Sequence, residues 1–135
     1  MKQENPTAGI VTQAPSSKVD EKQLKLNVEA SLHSGTVVLH CSGRLIFRRE
    51  AQALSKTVKE VLPEAGGMVV DLAGVEAVDS AGLGELVLLH MWAKATGYTM
   101  KFASPRKHVR ELLELTNLAS VFDLHSSVAE AIGAM

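Results

Sequence analysis

The stretch from Gly67 to Gly97 constrains the fold more than any other part of the chain. Met68-Val69-Val70-Asp71-Leu72 is a short apolar run suited to a central, shielded strand. Val78-Asp79-Ser80-Ala81-Gly82-Leu83-Gly84 follows as a connection and opens an apolar helix expected from about Ser80 to Thr96. Asp79 is suited to cap that helix and Gly97 to stop it. A strand feeding a helix this directly is part of a crossover unit, which calls for parallel neighbours and covering helices.

The rest of the chain supplies them. Leu24 to Leu32 alternates apolar and polar residues, as a half-buried strand does. Ser34-Gly35 marks a turn, and Thr36 to Cys41 reads as the second strand of a hairpin, with Gly43 breaking the pattern. Phe47, Ala51, Leu54, Val58 and Val61 recur at helical spacing, and Pro63 is expected to end that helix. Thr99 to Ala103 is the next strand, parallel to the one through Val69. Ser104-Pro105 reads as a cap and a first-turn proline, opening a helix to about Thr116. Val121 to Leu124 suits a short edge strand, and Ser127 with Glu130 has capping-box spacing for a terminal helix. The expected class is α/β: one domain over residues 23–135, a mixed four- to five-stranded sheet covered by about four helices. Residues 1–22, with Pro6, Pro15 and many polar side chains, have little to bury and are expected to form a flexible arm.

Charge narrows the partners. The formal net charge of -1 offers no basic field for direct nucleic-acid binding and no polybasic signal for anionic lipid. A lone cysteine, Cys41, cannot form an internal disulfide or a multi-thiolate metal site. The polar N-terminal stretch lacks the apolar core of a signal peptide, and no run is long enough to span a bilayer. A cytoplasmic location is the expectation.

Backbone N–H groups at the start of the Ser80 helix lack intrahelical partners and make the spot mildly positive. A hydroxyl there sits where backbone N–H groups can donate to a phosphate placed on it, and Gly82 and Gly84 leave room for another protein's surface. Asp79-Ser80-Ala81-Gly82-Leu83-Gly84 resembles the Asp-Ser-Ser-Gly-Leu-Gly signature of anti-sigma factor antagonists, within the STAS family. Gly43-Arg44-Leu45, Asp71-Leu72 at an expected strand end, and Ser104-Pro105 also sit where that family has similar residues, so the resemblance covers roughly Leu24 to Ile132. It implies a STAS domain that binds an anti-sigma factor of the ATP-binding serine kinase type and thereby frees a sigma factor. Phosphorylation in the signature loop breaks such complexes, adding about -1.5 to -2 charge at pH 7. Sporulation-type antagonists are modified at the second residue after the aspartate, which here is Ala81. The only hydroxyl left is Ser80, the position that stressosome-type relatives modify. Two readings follow: Ser80 is the switch, or this chain binds its partner constitutively.

Each residue also has a plainer role. Asp79 works equally as a helix cap, Ser80 as a first-turn residue, and Asp71 either as support for the loop or as a solvated acid. On the helix, Leu83, Leu86, Val87, His90 and Ala93 form the stripe expected to face the sheet. Leu88, Leu89, Met91 and Trp92 then fall largely on other faces, where Leu89 and Trp92 are expected to help meet a partner or a second copy in a homodimer, unless the arm or the terminal helix covers the cluster.

Catalytic signatures are poor. Gly82-Leu83-Gly84 lacks the pattern of a dinucleotide loop, and no lysine follows for a phosphate-binding loop. Ser80 is not in a nucleophile elbow. His33, His40, His90, His108 and His125 show no metal-ligand spacing. No catalytic residue, metal or cofactor is expected, and the chain reads as a regulatory binding module. The rival reading within the family is a STAS subunit of a membrane transporter complex of the ABC lipid type.

Overall fold

Ser34 (φ 53°) and Gly35 (φ 82°) both take left-handed backbone, the turn that matches the twist of two paired strands. They join β1 (Leu26–His33) to β2 (Thr36–Leu45) in an antiparallel hairpin with His33 opposite Thr36. The computed structural model describes residues 25–135, so the expected arm over residues 1–22 and the domain start at 23 lie outside it. Beyond the hairpin run α1 (Phe47–Ala65), β3 (Gly67–Val78), α2 (Ser80–Thr96), β4 (Thr99–Ala103), α3 (Lys107–Leu115), β5 (Leu124–His125) and α4 (Val128–Gly133). The sheet is five-stranded in the order β1-β2-β3-β4-β5, parallel from β2 onward. The expected α/β architecture is the one found, including the parallel pairing of the Val69 and Met100 strands.

Alternation along the strands sorts side chains between two unequal faces. Val37, Leu39 and Cys41 on β2, Met68, Val70 and Leu72 on β3, and Met100 and Phe102 on β4 join one core with α1, α2 and α3. From α1 this core takes Ala51, Leu54, Val58 and Leu62, each 2% exposed or less. Burying such a side chain contributes roughly 1.5–3 kcal/mol. On the other face, among the described residues, Val38, Val69 and Ala103 form a small apolar patch beneath Ala131, Val128 and Ile132 of α4.

Several local expectations change. Pro63 does not stop α1. A proline loses its own N–H bond and crowds the carbonyl four residues back, but the residues after it keep their donors, so the last turn carries on to Gly66, whose left-handed backbone (φ 78°) ends it with an N–H bond to Leu62 O at 2.7 Å. Gly43 does not end β2, which runs on to Leu45 through irregular register with β3. Asp71 is not at the end of β3. Pairing with β4 ceases there, but pairing with β2 continues to Val78. Ser104 (φ 62°) gives its N–H to His125 O, so its backbone serves the sheet, and α3 begins two positions past Pro105 with Arg106 as its cap position. The expected edge strand shifts to Leu124–His125, because Phe122 turns in to stack on Phe102 at 4.9 Å. Half of the capping box of α4 forms: Ser127 Oγ accepts from Glu130 N–H at 3.0 Å, while Glu130 Oε1 reaches one residue further back and accepts from Ser126 N–H at 2.7 Å.

The rotation of α2 is set by one close approach. A Cβ on Gly82 would lie 2.3 Å from the carbonyl oxygen of Leu45, whereas one on Gly84 would meet nothing within 4 Å. Gly82 therefore presses against the end of β2, and Leu86, Leu89 and Ala93 follow it into the core. Gly82→Ala is expected to cost about 1–3 kcal/mol in urea unfolding, as overpacked sites do. Gly84→Ala is expected to stabilise by roughly 0.5–1 kcal/mol through helix propensity. Equal effects of the two would refute this account of the helix rotation.

Candidate functional site

The C-terminal ends of β2 and β3 bring two helix starts together. Asp79, in extended backbone, caps α2 by accepting from Gly82 N–H at Oδ1, 2.8 Å away. Its other oxygen, Oδ2, accepts from Phe47 N–H at 2.8 Å. Phe47 opens α1 with left-handed backbone (φ 66°), and Ile46 before it makes no side-chain cap bond. Backbone of that kind on an aromatic residue costs of order 1–3 kcal/mol, and the Asp79 bond helps to hold it. These N–H donors, Phe47 first and then Gly82, pull the Asp79 carboxyl below the usual carboxylate range. Both its cap role and its place in the loop are thus real.

Around this carboxylate the expected site residues divide. Ser80 is exposed at the first position of α2, and Gly84 is exposed one turn on. Ala81 is half-buried, and Leu83 packs partly on the core. Gly82 is buried, so its missing side chain serves packing against Leu45 and not an approaching protein. Leu89 corrects the expected surface: it is 1% exposed and lies in the core. Trp92 is partly buried, with its ring 5.7 Å from Tyr98 and Lys59 Nζ 5.6 Å from its centroid. The helix is apolar on nearly every side, so hydrophobic spacing could not set its rotation; the Gly82 contact does. The large apolar residues left open on α2 are Leu88 at 59% and Met91 at 57%, with Phe47 at 60% beside the loop.

Asp71 spends its carboxylate elsewhere. Oδ2 accepts from His40 Nδ1 at 2.7 Å, and Oδ1 accepts from Ala73 N–H at 3.0 Å. His40 continues to Ser31, and Ser31 to His33, on the face of the sheet away from the main core. This grouping escaped the sequence reading because its members come from separate strands. Strand parity was the available signal: all four alternate with the neighbouring main-core residues Val28, Ala30, Leu39, Cys41, Val70 and Leu72. His90 is half-buried with its ring 5.5 Å from Phe122, and burial, then Lys94, lowers its pKa below the ordinary imidazole value. Burial pushes the Cys41 thiol up to about 12, with Asp71 adding to the shift, which leaves it unreactive.

A family model of the STAS domain matches residues 27–131. The chain belongs to the STAS domain family. Among solved structures, it resembles a Thermotoga maritima protein assigned as an anti-sigma factor antagonist, with TM-score 0.71 and 25% identity over 79% of this chain and 92% of that one. An anti-sigma factor antagonist from Mycobacterium paratuberculosis aligns with TM-score 0.69 and 25% identity, covering 81% and 92%. The Bacillus cell fate determinant SpoIIAA in its phosphorylated form shares the fold, with TM-score 0.59 and 14% identity, covering 79% and 97%. No helix among the described residues is long and apolar enough to cross a membrane.

In this STAS domain the Asp79 carboxylate joins two elements, so its loss is felt at both. Asp79→Ala is expected to lower stability by about 1–2 kcal/mol, read by urea unfolding at pH 7. Because its folded pKa is depressed, this contribution is complete above the unfolded carboxylate value of about 3.9. It fades as pH falls through the folded value. The wild-type advantage over Asp79→Asn is therefore expected to shrink below about pH 4, and an advantage that grew on acidification would contradict the bonding described.

Proposed function

We infer that this STAS domain is a docking module of a partner-switching pathway, acting in the manner of an anti-sigma factor antagonist. Its proposed partner is an anti-sigma factor that is also an ATP-binding serine kinase. The observation that carries the reading is the joint exposure of Ser80 and Gly84 at the start of α2, flanked by open Phe47 and Leu88. Hydroxyl, bare backbone and apolar side chains together offer a kinase-sized partner a surface to grip and a group to modify. Docking at this edge involves no chemistry by the chain itself.

Ser80 is the proposed switch, since Ala81 beside it has no hydroxyl. A phosphate on Ser80 would stand next to the Asp79 carboxylate, which is already held ionised by Phe47 and Gly82. Like-charge crowding at an edge that must meet a partner weakens docking. The cytoplasm, where such kinases and sigma factors meet, is the proposed location. Leu88 and Met91, in place of Leu89 and Trp92, are the proposed apolar contacts with the partner or with a second copy.

Intact-mass spectrometry of the protein from its own cells, beside Ser80→Ala, tests the switch. A phosphate increment present in the wild type and absent from the variant is expected. A wild type that never carries phosphate under any growth condition would replace the switch with constitutive binding. Co-purification tests the partner: a serine kinase should be recovered, and Leu88→Glu should reduce its yield at least tenfold, the equivalent of about 1.4 kcal/mol. Recovery of an ABC-type ATPase instead would reassign the domain to a transporter complex.

A further inference from the structure

The open face of the sheet carries a second, chemically different grouping. Asp71 on β3 lies opposite His40 on β2, and Ser31 on β1 lies diagonal to His40 across the hairpin, where Glu29 is its direct partner. Their side chains form one connected line. Asp71 Oδ2 lies 2.7 Å from His40 Nδ1, His40 Nε2 lies 2.9 Å from Ser31 Oγ, and His33 Nε2 lies 2.8 Å from that same oxygen. Proton bookkeeping makes the line directional. A carboxylate only accepts, so Nδ1 of His40 carries a proton, and in the neutral imidazole Nε2 is the acceptor. Ser31 then donates to His40, and His33 Nε2–H donates to Ser31.

We propose that Ser31 is a nucleophile for acyl transfer from small carboxylic esters, with His40 as its base, Asp71 as the positioning residue of that base, and His33 as the donor to the developing oxyanion. Such sites are recognised by geometry and roles and not by chain order or fold. Each role is met. Asp71 is itself oriented by Ala73 N–H at 3.0 Å and its side chain is 14% exposed, while the His40 side chain is 40% exposed and open to a visitor. The two imidazoles meet edge to face, with centroids 5.8 Å apart, and flank the hydroxyl from both sides. Three hydrogen-bonded strands hold the groups, a more rigid mount than loops provide.

The reaction balances with water alone. Ser31 Oγ bonds to the carbonyl carbon as its proton passes to His40 Nε2, and the ester C–O bond breaks as His40 hands that proton to the departing oxygen, so the imidazole is neutral again and the released phenol ionises in the buffer. Water then attacks the acyl-serine, giving one proton to His40 Nε2. His40 returns that proton to Ser31 Oγ as the Oγ–carbonyl bond breaks, and the released carboxylic acid loses water's second proton to the buffer.

The full chain incubated with p-nitrophenyl acetate provides the test, read by nitrophenolate release and by peptide mass mapping. Acetyl on Ser31 is expected, with release about 10²-fold faster than from Ser31→Ala, the lower range for positioned acid–base catalysis. His40→Gln should match Ser31→Ala, while Ser31→Cys should still be acylated at that position. Asp71→Asn should lower kcat with KM unchanged, which a merely structural role would not do, and far-UV circular dichroism checks that each variant is folded. Acetyl found only on lysines, or wild-type release from Ser31→Ala, would overturn the proposal. Lys56→Ala, an exposed position on α1 outside both this grouping and the docking edge, should release nitrophenolate at the wild-type rate.

Discussion

One carboxylate ties the upper end of this domain together. Asp79 accepts an N–H from Gly82 in its own helix and another from Phe47 at the start of α1. A helix start leaves several N–H groups without partners, and here a single side chain serves two starts at once. Because β2 and β3 are parallel neighbours, the chain leaves both at the same edge and the two helices begin side by side. The exposed Ser80 hydroxyl, the bare backbone at Gly84 and the open Phe47 ring all take their places from that junction.

The second constraint is steric. Gly82 lies so close to Leu45 O that no side chain fits between them, and this contact turns α2 about its axis. A polar-faced helix would announce its rotation through its apolar stripe. This one is apolar almost throughout, so a displacement of one position costs nothing in the pattern while exchanging Leu89 for Leu88 at the surface. The proposed docking surface follows from a backbone contact that no hydrophobic pattern encodes.

The sheet divides the molecule into two chemistries. Three helices bury one face in a continuous apolar core, and among the described residues α4 covers a small patch of the other. Ser31, His33, His40 and Asp71 meet on that second face. The Asp79 edge and this face share strand β3 but no side chain, so a recognition function and a reactive group can occupy one small fold without interfering.

Much of this was legible in the chain. Alternation in β1, the apolar run of β3, the turn at Ser34-Gly35, the cap at Asp79 and the stop at Gly97 are local signals, each carried by a few adjacent residues and their own backbone preferences. Local preference sufficed for the order of elements, the fold class and the loop that resembles an antagonist signature. It did not suffice for the end of α1, where a proline tolerated in a last turn resembled a breaker, or for Ser104, whose N–H was claimed by the sheet. Nor could it assign the surface of α2 or join Ser31 to Asp71. Those depend on contacts between residues far apart in the chain, and side chains that meet only when strands pair leave no mark on their sequence neighbours.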